Sequence, residues 1–229
     1  MRIAAAFVTS AAGAADFPDD GRREVALVGR SNVGKSSLIN ALVRRSVART
    51  SAAPGKTRLA NIYSVARGSA SVFYFVDLPG YGYARGGPGA AREFQELTRA
   101  YFGRTGREGR DRVDALLVVD ARHPGLASDR EARNWLKETV ASHAIVATKV
   151  DKLARGQRIR ALRELESVFE DSVLPVSAVT GEGLDELWTL IDRLANSRRP
   201  NRPSNSNSRS LPSKATAPRP TRASRPPKK

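Results

Sequence analysis

The chain has 229 residues, of which 40% are hydrophobic, and carries 39 Lys and Arg against 23 Asp and Glu, a net charge of +16. This apolar content is enough to bury a core, which excludes a collagen-like or wholly disordered protein. No stretch approaches the roughly 20 consecutive apolar residues of a membrane-spanning helix, so no membrane insertion is expected. The absence of cysteine excludes disulfides, thiolate zinc sites and cysteine nucleophiles.

The two ends of the chain differ from its middle. The apolar run at 3–8 is shorter than the about 7–15 residues of a secretory leader, so we interpret residues 1–22 as an N-terminal lead-in to a cytoplasmic protein. Residues 197–229 hold ten basic residues, no acidic one and seven of the thirteen prolines. Such a segment buries too little apolar surface to offset its ordering entropy. We predict a folded domain over 23–196 and a disordered basic tail that binds a polyanion such as nucleic acid, with compositional bias as the alternative.

Short Val-rich runs alternate with helical patterns between these ends. In chain order, strands are predicted at residues 25–28, 60–66, 72–76, 115–119, 145–147 and 173–176. Helices are predicted at residues 35–45, 90–102, 128–140, 159–169 and 184–194. The strand at 60–66 alternates best and is expected at an edge of the sheet, and Ser128 is expected to cap its helix. Unbroken apolar strands alternating with helices are typical of an α/β fold with a mostly parallel sheet.

The strongest motif follows the first of these strands and opens the first helix. It reads Gly29-Arg30-Ser31-Asn32-Val33-Gly34-Lys35-Ser36-Ser37. The pattern G-x-x-x-x-G-K-S/T predicts a loop whose backbone N–H groups surround a phosphate chain, beside the positive end of a helix. Lys35 would place a cation on the β- and γ-phosphates, and Ser36 would offer its hydroxyl to Mg²⁺. A chance match in a glycine turn is the alternative.

Two later segments are predicted to read the γ-phosphate and Mg²⁺. Asp77-Leu78-Pro79-Gly80 ends the strand at 72–76, where a carboxylate suits Mg²⁺ held through water and Gly80 can bring its N–H to a γ-phosphate. Pro54-Gly55-Lys56-Thr57 precedes the strand at 60–66. Thr57 would complete the Mg²⁺ shell only when a γ-phosphate is bound, which predicts an order–disorder switch. Each segment alone is also an ordinary turn.

The purine base is indicated by Thr148-Lys149-Val150-Asp151, which ends the strand at 145–147. Asp151 can accept hydrogen bonds from guanine N1 and N2, a donor pair that adenine lacks. Charge-assisted bonds contribute about 1.5–3 kcal/mol each, so this carboxylate favours GTP over ATP. The stem of Lys149 would lie along the base. Val176-Ser177-Ala178 ends the last strand, and a backbone N–H there is predicted to reach guanine O6. A surface turn is the alternative reading of the segment at 148–151.

Taken together, these motifs resemble the EngB family of ribosome-biogenesis GTPases. The most particular stretch is Val76-Asp-Leu-Pro-Gly-Tyr-Gly-Tyr-Ala84, and Thr148 stands where many GTPases have Asn, as is usual in this family. The likeness covers roughly residues 5–195. It implies a Ras-like P-loop GTPase fold with a six-stranded, mostly parallel sheet flanked by helices. It also implies GTP and GDP binding, Mg²⁺, slow GTP hydrolysis and a role in assembling the large ribosomal subunit, with consequences for cell division and septation.

Two positions shape the expected mechanism, in which water attacks the γ-phosphate in line while Lys35, Mg²⁺ and backbone amides stabilise the developing charge. Thr57 and Gly80 are expected to assist. Tyr81 stands where Ras-type enzymes carry a glutamine that orients the water, so we predict slow turnover that a partner or ion accelerates. In related GTPases an asparagine at the position of Asn32 holds K⁺, which makes K⁺ a candidate activator. A local loop role for Asn32 is the alternative.

Basic clusters flank both predicted switches. One contains Arg44, Arg45, Arg49, Lys56 and Arg58, and residues 85–112 contain seven arginines. We interpret these clusters as an rRNA-facing surface to which the tail adds salt-sensitive affinity; a solvated surface is the alternative. The resulting hypothesis is a monomeric GTPase switch that docks on the maturing large ribosomal subunit. The competing hypothesis is an RNA-binding assembly module in which GTP binding, not hydrolysis, is the functional event. A septum-associated structural GTPase is a third reading, which no polymer motif supports.

Overall fold

A computed structural model of the chain describes residues 2–49, 59–68, 71–81, 87–104 and 113–196. The predicted switch residues Gly55, Lys56 and Thr57 and the predicted disordered tail at 197–229 lie outside the described residues. The strands are β1 (Ile3–Ala11), β2 (Glu24–Gly29), β3 (Ala60–Arg67), β4 (Phe73–Asp77), β5 (Val113–Asp120), β6 (Ser142–Thr148) and β7 (Val173–Pro175). The helices are α1 (Lys35–Val43), α2 (Gly87–Gly103), α3 (Ala127–Thr139), α4 (Arg155–Phe169) and α5 (Leu184–Asn196), with 3₁₀ turns at Ala14–Asp16 and Val150–Lys152.

The strands form one sheet in the order β1-β3-β4-β2-β5-β6-β7. From β4 to β7 every neighbouring pair is parallel, and β3 is antiparallel to both β1 and β4. Every residue of β2 and β5 is buried, because helices cover both faces of the sheet. The predicted α/β class with a mostly parallel sheet is therefore confirmed.

The predicted count of six strands is wrong, because the described part of the chain already has seven, with β1 as the addition. This strand lies in residues 1–22, for which the sequence predicts only a lead-in. It pairs with β3 over a register that runs from Ile3 opposite Arg67 to Ala11 opposite Ala60. β3 is consequently an interior strand and not the expected edge. The alanine-rich sequence of β1 carries little strand propensity of its own. Its partner residues in β3 lie 49 to 64 positions away in the chain, so local patterning did not reveal the strand.

The start of α3 also differs from the prediction. The helix begins at Ala127, with Leu126 at the cap position and no side-chain cap hydrogen bond. Ser128 therefore lies inside the first turn. The residue after it, Asp129, is 2% exposed, and its backbone N–H donates to Leu126 O at 3.0 Å. The Asp129 side chain contacts a residue outside the helix, as described below, and does not cap the helix.

Two hydrophobic clusters sandwich the sheet. One includes Tyr101, Leu136 and Phe169 from α2, α3 and α4. The other includes Leu38 from α1 and Trp188 from α5. Because these helices cover both faces of the parallel strands, the loops that follow the strands come together at the carboxyl-terminal end of the sheet. Among the described residues, no helix is both long and apolar enough to cross a bilayer.

Candidate nucleotide-binding site

The phosphate loop joins β2 to α1 through backbone conformations that its sequence allows. Gly34, directly before α1, has a φ of +111°, a region that side chains other than glycine rarely adopt. Asn32 has a φ of +61°, where asparagine is among the better-tolerated residues. At Gly29 a side chain is excluded, since an added Cβ would lie 2.4 Å from Val118 O. The loop is thereby packed directly against β5.

The side chain of Lys35 spans this loop. It is 7% exposed, and its Nζ donates to Gly29 O at 3.1 Å and Arg30 O at 3.2 Å. Burial lowers the pKa of Lys35, and the nearby carboxylate of Asp77 opposes that shift. The loop carbonyls hold the ammonium above the backbone, where it can reach an anion.

Asp77 and Ser36 form an adjoining pair of oxygen ligands. Asp77, at the end of β4, is 3% exposed, and Ser36 Oγ donates to its Oδ2 at 2.5 Å. Burial raises the pKa of Asp77, whereas the charge of Lys35 and the hydrogen bond from Ser36 lower it. A hydroxyl and a carboxylate at this separation are the hard oxygen donors that Mg²⁺ selects.

The segment after Asp77 docks on the phosphate loop. Ser31 N donates to Tyr81 O at 3.1 Å, and Tyr81 N donates to Gly29 O at 3.3 Å. Ser31 Oγ donates to Gly80 O at 3.2 Å, and a Cβ at Gly80 would lie 2.4 Å from Ser31 N. The Tyr81 hydroxyl donates to Asp129 Oδ1 at 2.8 Å. The side chain of Tyr81 is thus tied to α3.

The predicted base-reading residues meet at the ends of β6 and β7. Ser177 Oγ donates to Asp151 Oδ1 at 2.7 Å, and this bond lowers the pKa of Asp151, so the carboxylate stays ionised near neutral pH. Ser177 N donates to Glu182 O at 2.9 Å, so this amide is already hydrogen-bonded within the protein. Of the two predicted donors to the base, Ser177 and Ala178, the amide of Ala178 is therefore the remaining candidate.

Lys149 is fixed by a carboxylate that sequence reasoning missed. Its Nζ donates to Asn32 O at 2.5 Å and to Asp120 Oδ2 at 2.9 Å. Burial would raise the pKa of Asp120, but hydrogen bonds from Arg122 and Lys149 outweigh it and hold the pKa far below its usual range. The available signal was an acidic residue at the carboxyl end of a buried parallel strand, β5.

Thr148 supports the phosphate loop from below. It is 3% exposed, and its Oγ1 lies 2.7 Å from Val33 O and 3.0 Å from Val119 O, to which it can donate. Several other predicted contacts turn out to be core side chains, which can offer a nucleotide only their backbone: Val33, Leu78, Pro79, Val150 and Val176. Ser37 is exposed on α1.

Comparisons with known proteins agree with this geometry. The family described as "50S ribosome-binding GTPase" matches residues 24–149. A probable GTP-binding protein EngB from Alkaliphilus oremlandii is 38% identical over 197 residues, which is 84% of this chain and 91% of the relative. A probable GTP-binding protein EngB from a Thermotoga species is 44% identical over 183 residues, or 78% of this chain and 90% of the relative.

Solved structures share the fold. A crystal structure of a probable GTP-binding protein EngB matches with a TM-score of 0.58 at 22% identity, over 76% of this chain and all of that one. The Y63A variant of Aquifex aeolicus Era bound to GDP and AlF₄⁻ matches with a TM-score of 0.62 at 26% identity, over 74% of this chain and 55% of Era. From the family match, the relatives and the phosphate-loop architecture together, this chain belongs to the EngB family of GTP-binding proteins and is a GTPase.

Proposed function

We propose that this GTPase is a Mg²⁺-dependent nucleotide switch in the assembly of the large ribosomal subunit. The observation that carries the proposal is the meeting of the phosphate loop, the Gly80–Tyr81 segment and Asp151 at one edge of the sheet. The matching family is described by its binding to the 50S ribosome. Era, whose fold is similar with a TM-score of 0.61, was solved with MgGDPNP and nucleotides of 16S ribosomal RNA.

In this proposal each part of the site binds one part of GTP. The loop amides between Gly29 and Ser37 and the Lys35 ammonium hold the phosphates, while Asp151 and the Ala178 amide read the guanine. Ser36 and Asp77 fit Mg²⁺ through their paired oxygens, with Thr57 as the further predicted ligand. Mg²⁺, when bound, neutralises charge that develops on the phosphate oxygens during hydrolysis.

The same proposal assigns the Gly80–Tyr81 segment as the part that senses nucleotide state. Its backbone bonds to Gly29 and Ser31 occupy one edge of the phosphate loop. A γ-phosphate that draws the Gly80 amide toward it would exchange part of this pairing for bonds to phosphate. GTP and GDP would then differ in which set of bonds they stabilise, which is the requirement for a switch.

Potassium dependence tests the role of Asn32. If Asn32 helps to hold K⁺ beside the phosphates, GTP turnover in K⁺ is expected to exceed turnover in Na⁺ at equal ionic strength. The Asn32→Ala variant should lose that difference. The measurement is steady-state phosphate release in each salt, with GDP affinity as the control for an intact site. Equal rates in the two salts would assign Asn32 to loop geometry alone.

Co-sedimentation with purified large ribosomal subunits tests the switch itself. Near physiological salt, the full chain is expected to pellet with subunits in the presence of a non-hydrolysable GTP analogue and much less in GDP. Binding that ignores the nucleotide and disappears with moderate salt would contradict a nucleotide switch. A variant that binds GTP without hydrolysing it distinguishes the switch from an RNA-binding module. Trapping of this variant on ribosomal particles supports the switch, and normal subunit assembly supports a module that needs only GTP binding.

A further inference from the structure

The first half of α4 concentrates positive charge that the nucleotide site does not use. Residues 152–163 contain five basic residues and no acidic one. Two of them are paired: Lys152 with Asp151 at 3.4 Å, and Arg158 with Glu182. The other three are exposed and have no ion-pair partner among the residues that the structure describes: Arg155, Arg160 and Arg163.

These three arginines share the solvent side of the helix. The opposite side packs into the core through Ala161, Leu165 and Phe169. At 100° per residue, Arg155, Arg160 and Arg163 fall within one arc, together with the exposed Ile159. This arc runs along roughly 12 Å of helix, at about 1.5 Å rise per residue. We call these three side chains the α4 basic face.

The position of Arg155, the first residue of α4, opposes the stability of the helix. The N-terminus of a helix is the positive end of its dipole, where acidic side chains stabilise by about 0.3–1 kcal/mol and basic ones do the reverse. The first turn of α4 has no acidic residue. The neutral Gln157 does the capping there, its Oε1 accepting from Ala154 N at 3.2 Å. The acidic residues of the helix, Glu164 and Glu166, follow later and form no ion pair with the three arginines in the described structure.

We propose that the α4 basic face is a docking surface for the phosphate backbone of RNA, which names the contact for the ribosomal partner and in that respect rests on the proposed function. Some arginines elsewhere in the folded domain are neutralised by a carboxylate: Arg23 pairs with Asp114, and Arg67 pairs with Asp192. The α4 basic face instead presents three guanidinium groups with no ion-pair partner among the described residues, and one of them, Arg155, lies at the helix N-terminus. Both features favour phosphate. An anionic lipid surface is the competing partner.

The location of α4 predicts how this binding responds to nucleotide. The helix directly follows the turn that carries Asp151, and Arg158 pairs with the loop after Ser177. Both belong to the base-reading end of the site and not to the Gly80–Tyr81 segment. The contribution of the α4 face is therefore the same in GTP and in GDP, and it adds to whatever the switch contributes.

The test compares two triple variants of the full chain that remove equal charge. In the first, Arg155, Arg160 and Arg163 are replaced by Gln. In the control, Gln replaces three exposed arginines from separate parts of the fold, Arg2, Arg130 and Arg193. The probes are protein-free large-subunit rRNA and intact large subunits, each titrated across a salt series. GDP affinity and thermal unfolding verify that both variants keep the fold and the nucleotide site.

If the α4 face binds RNA, its variant loses about 10- to 100-fold in affinity near 0.15 M salt, and the log–log salt slope falls by about 2–3, as expected for three lost phosphate contacts. The control variant loses much less. Equal losses in both variants, or none in the α4 variant, overturn the proposal. If the α4 variant loses binding to phosphatidylserine vesicles but keeps wild-type binding to RNA, the RNA proposal is overturned and the face is assigned to a membrane. Wild-type binding to rRNA through this face without binding to subunits overturns the ribosomal role while the α4 face stands.

Discussion

Replacing Asp151 with Asn is expected to weaken GDP and GTP binding by at least about 100-fold. The substitution removes two charge-assisted hydrogen bonds from guanine N1 and N2 to the carboxylate, of about 1.5–3 kcal/mol each. Each 1.4 kcal/mol corresponds to a tenfold change in affinity. The amide of Asn also turns a donor toward the guanine N–H groups. A base that carries a carbonyl at C2, as xanthine does, accepts from that donor, so the variant should prefer xanthosine diphosphate to GDP.

The neighbouring side chains provide graded controls for this change. Lys152, 57% exposed and 3.4 Å from Asp151, can be replaced by Gln with little effect, because exposed ion pairs contribute about 0–1 kcal/mol. Ser177→Ala removes the 2.7 Å hydrogen bond to Asp151 and should weaken GDP binding to an intermediate degree. Isothermal titration with GDP, ATP and xanthosine diphosphate measures all three variants. Wild-type GDP affinity in Asp151→Asn would place the guanine elsewhere.

The largest expected effect on stability comes from Glu24. This carboxylate, 6% exposed at the start of β2, accepts from Tyr101 Oη at 2.8 Å and from Arg104 Nη2 at 2.5 Å. Arg104 also donates to Pro18 O and lies over the ring of Phe17, 4.7 Å from its centroid. Glu24→Gln leaves the guanidinium buried without its counter-charge, which typically lowers the free energy of unfolding by about 3–5 kcal/mol.

A matched pair at the surface checks this value. Arg158 and Glu182 also form an ion pair, but their side chains are 28% and 43% exposed. Glu182→Gln is therefore expected to lower the free energy of unfolding by less than about 1 kcal/mol. Urea denaturation of both variants, followed by circular dichroism, measures the difference. Similar small losses in the two variants would mean that the Glu24 network adds nothing beyond a surface pair.

The Glu24 network also revises one reading of the sequence. Arg104 is one of the seven arginines at 85–112 that are predicted to face RNA, yet its side chain is 11% exposed and is paired with Glu24. A count of basic residues does not distinguish a guanidinium that faces solvent from one that a distant carboxylate neutralises. Conversely, the arginines of α4 stand out only once the helix is packed, because packing decides which of them face solvent.

Local sequence determined the chemistry of the nucleotide site. Glycine at 29 and 34, Lys35 and Ser36 fix a phosphate loop through backbone conformation and short-range order, and the carboxyl ends of parallel strands place Asp77 and Asp151 at the same edge. These features depend on residues close together in the chain and on one rule of sheet geometry, so pattern was enough to predict them.

Tertiary structure decided what depends on partners far apart in the chain. The seventh strand exists because β3 offers hydrogen bonds to an alanine-rich segment. Asp120 becomes part of the site only when β5 and the end of β6 bring it to Lys149, and the Asp129 side chain, in the first turn of α3, accepts a hydrogen bond from Tyr81. In each case the stabilising bond joins residues with no shared local pattern, so its free energy appears only after the chain has folded.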